Sequence, residues 1–151
     1  MTTRRVKLAN LAPEFYQAMI ALDATAGVGL DPLLAHLVRA RASQLNGCAY
    51  CTDMHTLDYL HEGGKQQKLN VLPVWRESAN LFTAQELAAF ELTEAVTLVH
   101  DGHVPDSAYD AAAAQFEEKD LAQLIALIIT INAWNRIGVT GKMAPGHYHP
   151  S

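Results

Sequence analysis

Two cysteines are all that the 151 residues contain, too few for the disulfide framework that holds small secreted domains together. Positive charge is also scarce. Eleven Lys and Arg stand against sixteen Asp and Glu, scattered except for Arg4, Arg5 and Lys7 near the start. That leaves no basic face for nucleic acid or an anionic membrane as main partner. The strongest apolar run, Leu121 to Ala133, contains polar members and falls short of the roughly 20 residues a bilayer crossing takes. The start of the chain lacks a signal-like apolar stretch, and no linker, repeat or low-complexity tract divides the rest. The expectation is one soluble, cytoplasmic domain over 1–151, with its core over about 10–140 and a loose tail over 141–151. In a reducing compartment, two cysteines three apart read as a working dithiol or a metal clamp before they read as a staple.

Strand-like alternation is missing as well, although Leu69 to Val74 is too short a stretch to exclude a strand. Helical spacing takes its place. Leu11, Phe15, Met19 and Leu22 recur at that spacing before the Gly27-Val28-Gly29 break. Asp31 then suits an N-cap with Pro32 as first helical residue, and Leu33, Leu34, Leu37, Val38 and Leu45 form a buried stripe up to the Asn46-Gly47 stop. A third helix begins around Cys48 and runs to Gly63-Gly64, while residues 65 to 82 hold at most a short helix. Thr83-Ala84-Gln85-Glu86 is a capping box that opens a fourth long helix to about His100. Asp106, after Pro105, suits the cap of a short helix toward Phe116. Lys119 to Ile137 is the most apolar helix and central in the packing. The sum is an all-α domain of six to seven helices. With half its residues apolar and helices apolar nearly all round, it is expected to form a homo-oligomer.

The chemistry concentrates in NGCAYCTDMHT, residues 46 to 56. Counted from Cys48, Cys51 lies three residues on and His55 seven, so all three share one helix face. A helix start favours a thiolate over a thiol, and a histidine four residues from Cys51 can take its proton. The second sulfur can then close a disulfide. Other readings compete. The cysteines could be small buried hydrophobes, and His55 a satisfied half-buried histidine. A structural zinc on Cys48, Cys51 and His55 lacks a fourth ligand. A thioredoxin fold needs a strand before the motif. No cofactor and no metal site is expected. Asn132 and Asn135, with Trp134, sit on the most apolar helix as bridging amides rather than as a site. The tail histidines His147 and His149 have no setting that makes them one.

RASQLNGCAYCTDMHTLDYLHEGG, together with WRES, LTEAVT and INAWNR, resembles the alkylhydroperoxidase D-like branch of the carboxymuconolactone decarboxylase superfamily, from about residue 10 to residue 140. The resemblance implies an all-α fold around a central helical hairpin, homo-oligomers, and a thiol-dependent peroxidase or disulfide-exchange activity. It implies that Cys51 attacks a hydroperoxide, that Cys48 resolves the sulfenic acid, that His55 accepts the proton, and that a lipoyl-type or thioredoxin-like dithiol is the reductant. The residues alone leave open which cysteine attacks, because Cys48 is nearer the helix start.

Two positions depart from the family's pattern. The relay glutamate twelve residues before the first cysteine is His36 here, and the histidine before the second cysteine is Tyr50. His36 either shuttles protons instead or only packs between the second and third helices. Glu91 and Glu94 fall within an apolar arc of the fourth helix rather than on its Gln85, Glu86, Thr93 and Thr97 side, which is costly without a partner or a function. Glu94 is expected near the cysteines as a relay or orienting group. The alternatives are pairing with an arginine such as Arg39 or Arg136, or a place at a subunit interface. Besides a peroxidase, the chain could be a dithiol–disulfide oxidoreductase or a redox sensor. A lactone decarboxylase is disfavoured, since such members lack the dithiol.

Overall fold

Aspartate and proline open the helix on which the site depends. The Asp31 carboxylate accepts the Leu33 N–H at 3.2 Å, and Pro32 takes the first helical position of α3 (Pro32–Asn46). This computed structural model describes residues 5–151, so Arg4 of the basic cluster lies outside the described residues. Before α3 come α1 (Leu8–Leu11) and α2 (Pro13–Thr25). After it come α4 (Ala49–His61), α5 (Gln66–Val71), a 3-10 segment (Leu72–Leu81), α6 (Ala84–Thr97), α7 (Asp106–Ala113) and α8 (Glu118–Gly141). The described residues contain no strand, and the stretch from Leu69 to Val74 spans the end of α5 and the start of the 3-10 segment, which kinks at Val74. The all-α expectation holds. Among the described residues the eight α-helices slightly exceed the six to seven read from periodicity, because α1, four residues long, is too short to show a period.

The Thr83 capping box forms as expected, with both reciprocal bonds present. Asp106 does not cap. It is the first helical residue of α7, Pro105 occupies the cap position, and no side-chain cap bond forms. The expected buried face of α6 is also partly wrong. Thr93 and Thr97 are buried while Glu91 and Glu94 are only partly so. The threonines are tolerated inside because Thr93 Oγ1 donates to the Ala89 carbonyl and Thr97 Oγ1 accepts from Asn132 Nδ2.

α3 and α4 form a hairpin, and α3 also packs against α6 and α8. One core cluster joins Leu34, Val38, Leu92, Leu124, Leu127 and Ile128, and another joins Leu37, Tyr59, Leu72, Trp75, Phe82 and Phe90. Truncating any of these leucines to alanine would cost about 2–5 kcal/mol. By length and composition α8 could cross a bilayer. In the fold it is the central helix, with Leu124, Leu127 and Ile128 completely buried, and that position accounts for its apolar character. α2 behaves differently. Met19 is its one buried residue, while Phe15 is 53% and Leu22 48% exposed. The chain's last residues return to α4, where the Gly146 N–H donates to Asp53 Oδ2 at 2.8 Å and the Tyr148 hydroxyl to Asp58 Oδ1 at 2.6 Å.

Candidate active site

The Asn-Gly turn delivers the cysteines to a helix start. Gly47, in the left-handed conformation at φ 64°, ends α3. The Cys48 N–H then bonds back to the Ser43 carbonyl (3.0 Å) and the Gly47 N–H to that of Gln44 (3.2 Å), which satisfies the last carbonyls of the helix. Side chains fix this turn to α8. Asn46 Nδ2 donates to Asn132 Oδ1 and to Asn135 Oδ1, both at 2.9 Å, and Asn135 Nδ2 donates to Ser43 Oγ at 2.9 Å. Asn132 and Asn135 are thus structural bridging amides, although they reach the neighbouring helices through side chains where backbone partners were expected.

Cys48 is the N-cap of α4, and its sulfur accepts the Cys51 N–H at 3.3 Å. The two sulfurs are joined as a disulfide, with the Cα atoms 5.3 Å apart. Both residues are nearly buried, Cys48 at 2% and Cys51 at 4% exposure. They differ in what they face. Cys51 lines a cavity of about 210 Å³ together with Tyr16, Tyr50, Met54, His55 and Trp134, and Cys48 does not. Tyr16, Tyr50 and Met143 also border a larger apolar cavity of about 470 Å³ formed with the start of the chain and the end of α8.

His55 is buried at 7% exposure. Its Nδ1 is 3.7 Å from Asp58 Oδ2, an ion-pair distance too long for a hydrogen bond. His36 joins it from α3, with ring centroids 6.1 Å apart. Among the described residues, Nδ1 of each ring is a buried side-chain atom without a hydrogen-bond partner. Burial pushes both imidazoles below the usual histidine range. For His36 the neighbouring His55 adds to this, and for His55 the carboxylate of Asp58 opposes it. Both rings are therefore neutral near pH 7. Burial would raise the Asp58 carboxyl, but His55 and the Tyr148 hydroxyl outweigh it and hold that carboxyl low.

Glu94 is not brought to the cysteines. Arg41 Nε and Trp75 Nε1 donate to its Oε1 at 2.8 and 2.7 Å, and Arg76 donates to its Oε2. Burial would raise this carboxyl, but the bonds from Arg76, Trp75 and Arg41 hold it below the usual carboxylate range. The arginine-pairing alternative is the one observed, with Arg41 and Arg76 where Arg39 and Arg136 were named. The cavity that Glu94 lines shares no residue with the one that Cys51 lines.

Sequence reasoning overlooked Asp58, although its position three residues after His55 puts the two on one helix face. It also overlooked Gly138, where a β-carbon would stand 2.8 Å from Cys48 Sγ; a glycine within an apolar helix was the available signal. Tyr148 and Asp23, whose Oδ1 accepts from Trp134 Nε1 at 3.2 Å, carried no signal at all.

The profile of the carboxymuconolactone decarboxylase family matches residues 13–95. The uncharacterized protein YdfG of Bacillus subtilis (strain 168) is 34% identical over 138 residues, spanning 91% of this chain and 93% of YdfG. The uncharacterized protein YnjA of Escherichia coli (strain K12) is 35% identical over 99 residues, 66% of this chain and 53% of YnjA. A crystal structure from Agrobacterium tumefaciens, of a protein of unknown function described as a candidate antioxidant defence protein AhpD, superimposes with a TM-score of 0.91. It is 35% identical, and the match covers 97% of this chain and 100% of that one.

Proposed function

The chain belongs to the carboxymuconolactone decarboxylase family, in its alkylhydroperoxidase D-like branch, and from that premise we propose that it is a thiol-dependent hydroperoxidase with Cys51 as the attacking sulfur. One observation carries the assignment of roles. Cys51 and His55 line the same cavity, whereas Cys48 lies off it at the start of α4.

In the reduced protein, neutral His55 takes the Cys51 proton. The thiolate attacks the terminal oxygen of the hydroperoxide, the O–O bond breaks, and Cys51 becomes a sulfenic acid. The departing alkoxide takes the proton from His55 and leaves as the alcohol. Cys48, whose thiolate is favoured by the helix start, attacks the Cys51 sulfur. Hydroxide leaves with the Cys48 proton as water, and the disulfide closes. Two thiols thus supply the two electrons that convert ROOH to ROH and H2O. An external dithiol of lipoyl or thioredoxin type then attacks at Cys51, and Cys48 departs as the stabilised thiolate. His36, next to His55 and less buried, carries the proton between the site and solvent in place of a carboxylate. The apolar cavity beside the site suits the alkyl part of a substrate.

A second reading, dithiol–disulfide exchange with little peroxidase rate, is favoured by the absence of a relay carboxylate at position 36. We further propose a homo-oligomer, because Phe15, Ile20 and Leu22 on α2, with Val28 and Ile129, leave an apolar surface exposed. The test uses two variants. Cys51→Ser should abolish hydroperoxide consumption, and Cys48→Ser should accumulate a sulfenic acid that a dimedone probe labels on Cys51. Consumption retained in Cys51→Ser removes the peroxidase reading. Turnover of a disulfide substrate without turnover of cumene hydroperoxide replaces it with the second.

A further inference from the structure

His36, His55 and Asp58 form a cluster that the thiol chemistry does not fully use. One ring nitrogen of each histidine and one carboxylate oxygen of Asp58 lie within 4.8 Å of one another. The rings come from facing helices of the α3–α4 hairpin, and Asp58 follows His55 by one turn of α4. The two buried Nδ1 atoms have no partner, which is costly for polar atoms shut away from water.

We propose that His36, His55 and Asp58 constitute a binding site for one divalent first-row transition cation, zinc being the representative ion. Two imidazoles with one carboxylate are a donor set that such ions take, leaving a further position open for water. Neutral imidazole is the form that ligates, and both rings are neutral near pH 7 for the reason given above. Donors around a tetrahedral zinc ion lie about 3.4 Å apart for bonds of about 2.1 Å. Closing the cluster from 4.8 Å therefore moves each donor by at most about 0.8 Å, within the reach of side-chain rotation. A second layer is already present, since the Tyr148 hydroxyl holds Asp58 Oδ1 at 2.6 Å, and such outer partners orient ligating carboxylates. The surrounding charge also favours a cation. The carboxylates of Asp58, Asp23 and Glu62 face these rings against the single guanidinium of Arg39.

An ion held there takes the lone pair with which His55 would accept the Cys51 proton, so it slows the reaction with peroxide. That consequence rests on the function proposed above. Binding itself does not, because the disulfide form has no thiolate to offer the metal.

The experiment titrates Zn²⁺, and Co²⁺ as a visible reporter, into chelator-treated full-length protein with its disulfide closed, by calorimetry and absorbance. One ion per chain is expected, with a Co²⁺ ligand-field band and no competition from Mg²⁺. His36→Gln and Asp58→Asn should each weaken binding at least tenfold. Tyr148→Phe, which keeps all three donors but releases the carboxylate, should weaken it about tenfold. Cys48→Ser with Cys51→Ser, and separately His147→Ala with His149→Ala, should bind as wild type. Circular dichroism verifies each fold, and Asp58→Asn decides the matter if His36→Gln does not fold. The site is overturned if no ion binds, if His36→Gln and Asp58→Asn bind unchanged, or if affinity follows the cysteines or the tail histidines. Protein that binds the ion but reduces no peroxide keeps the site and loses the peroxidase. Protein that reduces peroxide and binds no ion does the reverse.

Discussion

Gly138 sits directly against Cys48: a β-carbon on it would stand 2.8 Å from that sulfur and 3.3 Å from the sulfur of Cys51. The backbone of α8 is thus the wall against which the disulfide closes. In Gly138→Ala the added methyl meets two sulfurs whose positions the disulfide fixes, whereas the reduced thiols can rotate away. The alanine variant should therefore lose stability more when oxidised than when reduced, by an amount in the overpacking range of about 1–3 kcal/mol. Equilibration with a glutathione redox buffer measures this as a shift toward the dithiol. An unchanged thiol–disulfide equilibrium would show that α8 yields instead.

Glu94 should matter for stability and hardly at all for turnover. Its side chain is 13% and that of Arg41 12% exposed. Glu94→Ala leaves the guanidinium and the indole N–H of Trp75 without their acceptor. In this part-buried setting, leaving the two donors without their acceptor costs about 1–3 kcal/mol, and exposed Arg76 adds little to that. Urea denaturation should register the loss, while peroxide turnover per folded molecule stays within about twofold. A collapse of turnover in a variant that remains folded would restore Glu94 to the proton relay.

The contrast between these two residues shows what the sequence made legible. Local signals were reliable wherever one residue type meets one backbone demand. Asp31 with Pro32, Gly47 in the left-handed turn and the Thr83 capping box all read correctly, and with them came the helix bounds that place both cysteines and His55, while the α3–α4 hairpin was expected from the family resemblance alone. The errors arose where the answer depends on another helix. Glu94 lies on a helix face that apolar spacing alone marks as buried, but its role was decided by arginines 53 and 18 residues away. Thr93 and Thr97 counted as polar by type, yet they bond within the helix or to α8 and go inside. Tyr148 lies 90 residues from the aspartate it holds, a distance that no periodicity can bridge.

Stability should fall as the pH drops from about 7 toward 5, measured with a chelator present to keep metal away. His36 and His55 have native values below their ordinary 6.5. Above that value the native and unfolded states are both neutral, and the full stability is present. As the pH falls below it, the unfolded chain takes up protons that the native state refuses, so stability is progressively lost. The ceiling is about 1.4 kcal/mol per pH unit for buried His55, with a smaller share from half-buried His36 because solvent screens it. Urea midpoints of wild type and of His55→Gln should converge on acidification. Parallel curves would mean that His55 is protonated in the native state.

Asn135 ties the stability of the fold to the ionisation of the thiol. It is fully buried, accepting from Asn46 and donating to Ser43 Oγ, so it holds the end of α3 from which Cys48 follows. In Asn135→Leu both neighbours lose this partner but keep another: Asn46 still donates to Asn132, and Ser43 Oγ to the Arg39 carbonyl. The cost should therefore sit near the low end for unsatisfied groups, about 2 kcal/mol in all. The turn it releases carries the N-cap of α4, and the Cys48 thiolate relies on the N–H groups there. The Cys48 thiol, followed by alkylation rate against pH in a Cys51→Ser background, should shift upward toward the roughly 8.5 of a free cysteine. A destabilising core change remote from the turn, such as Phe116→Leu, should lower the urea midpoint without moving that titration. If the two variants shift it alike, the effect is general loosening and the Asn46–Asn135 bond has no special hold on the site.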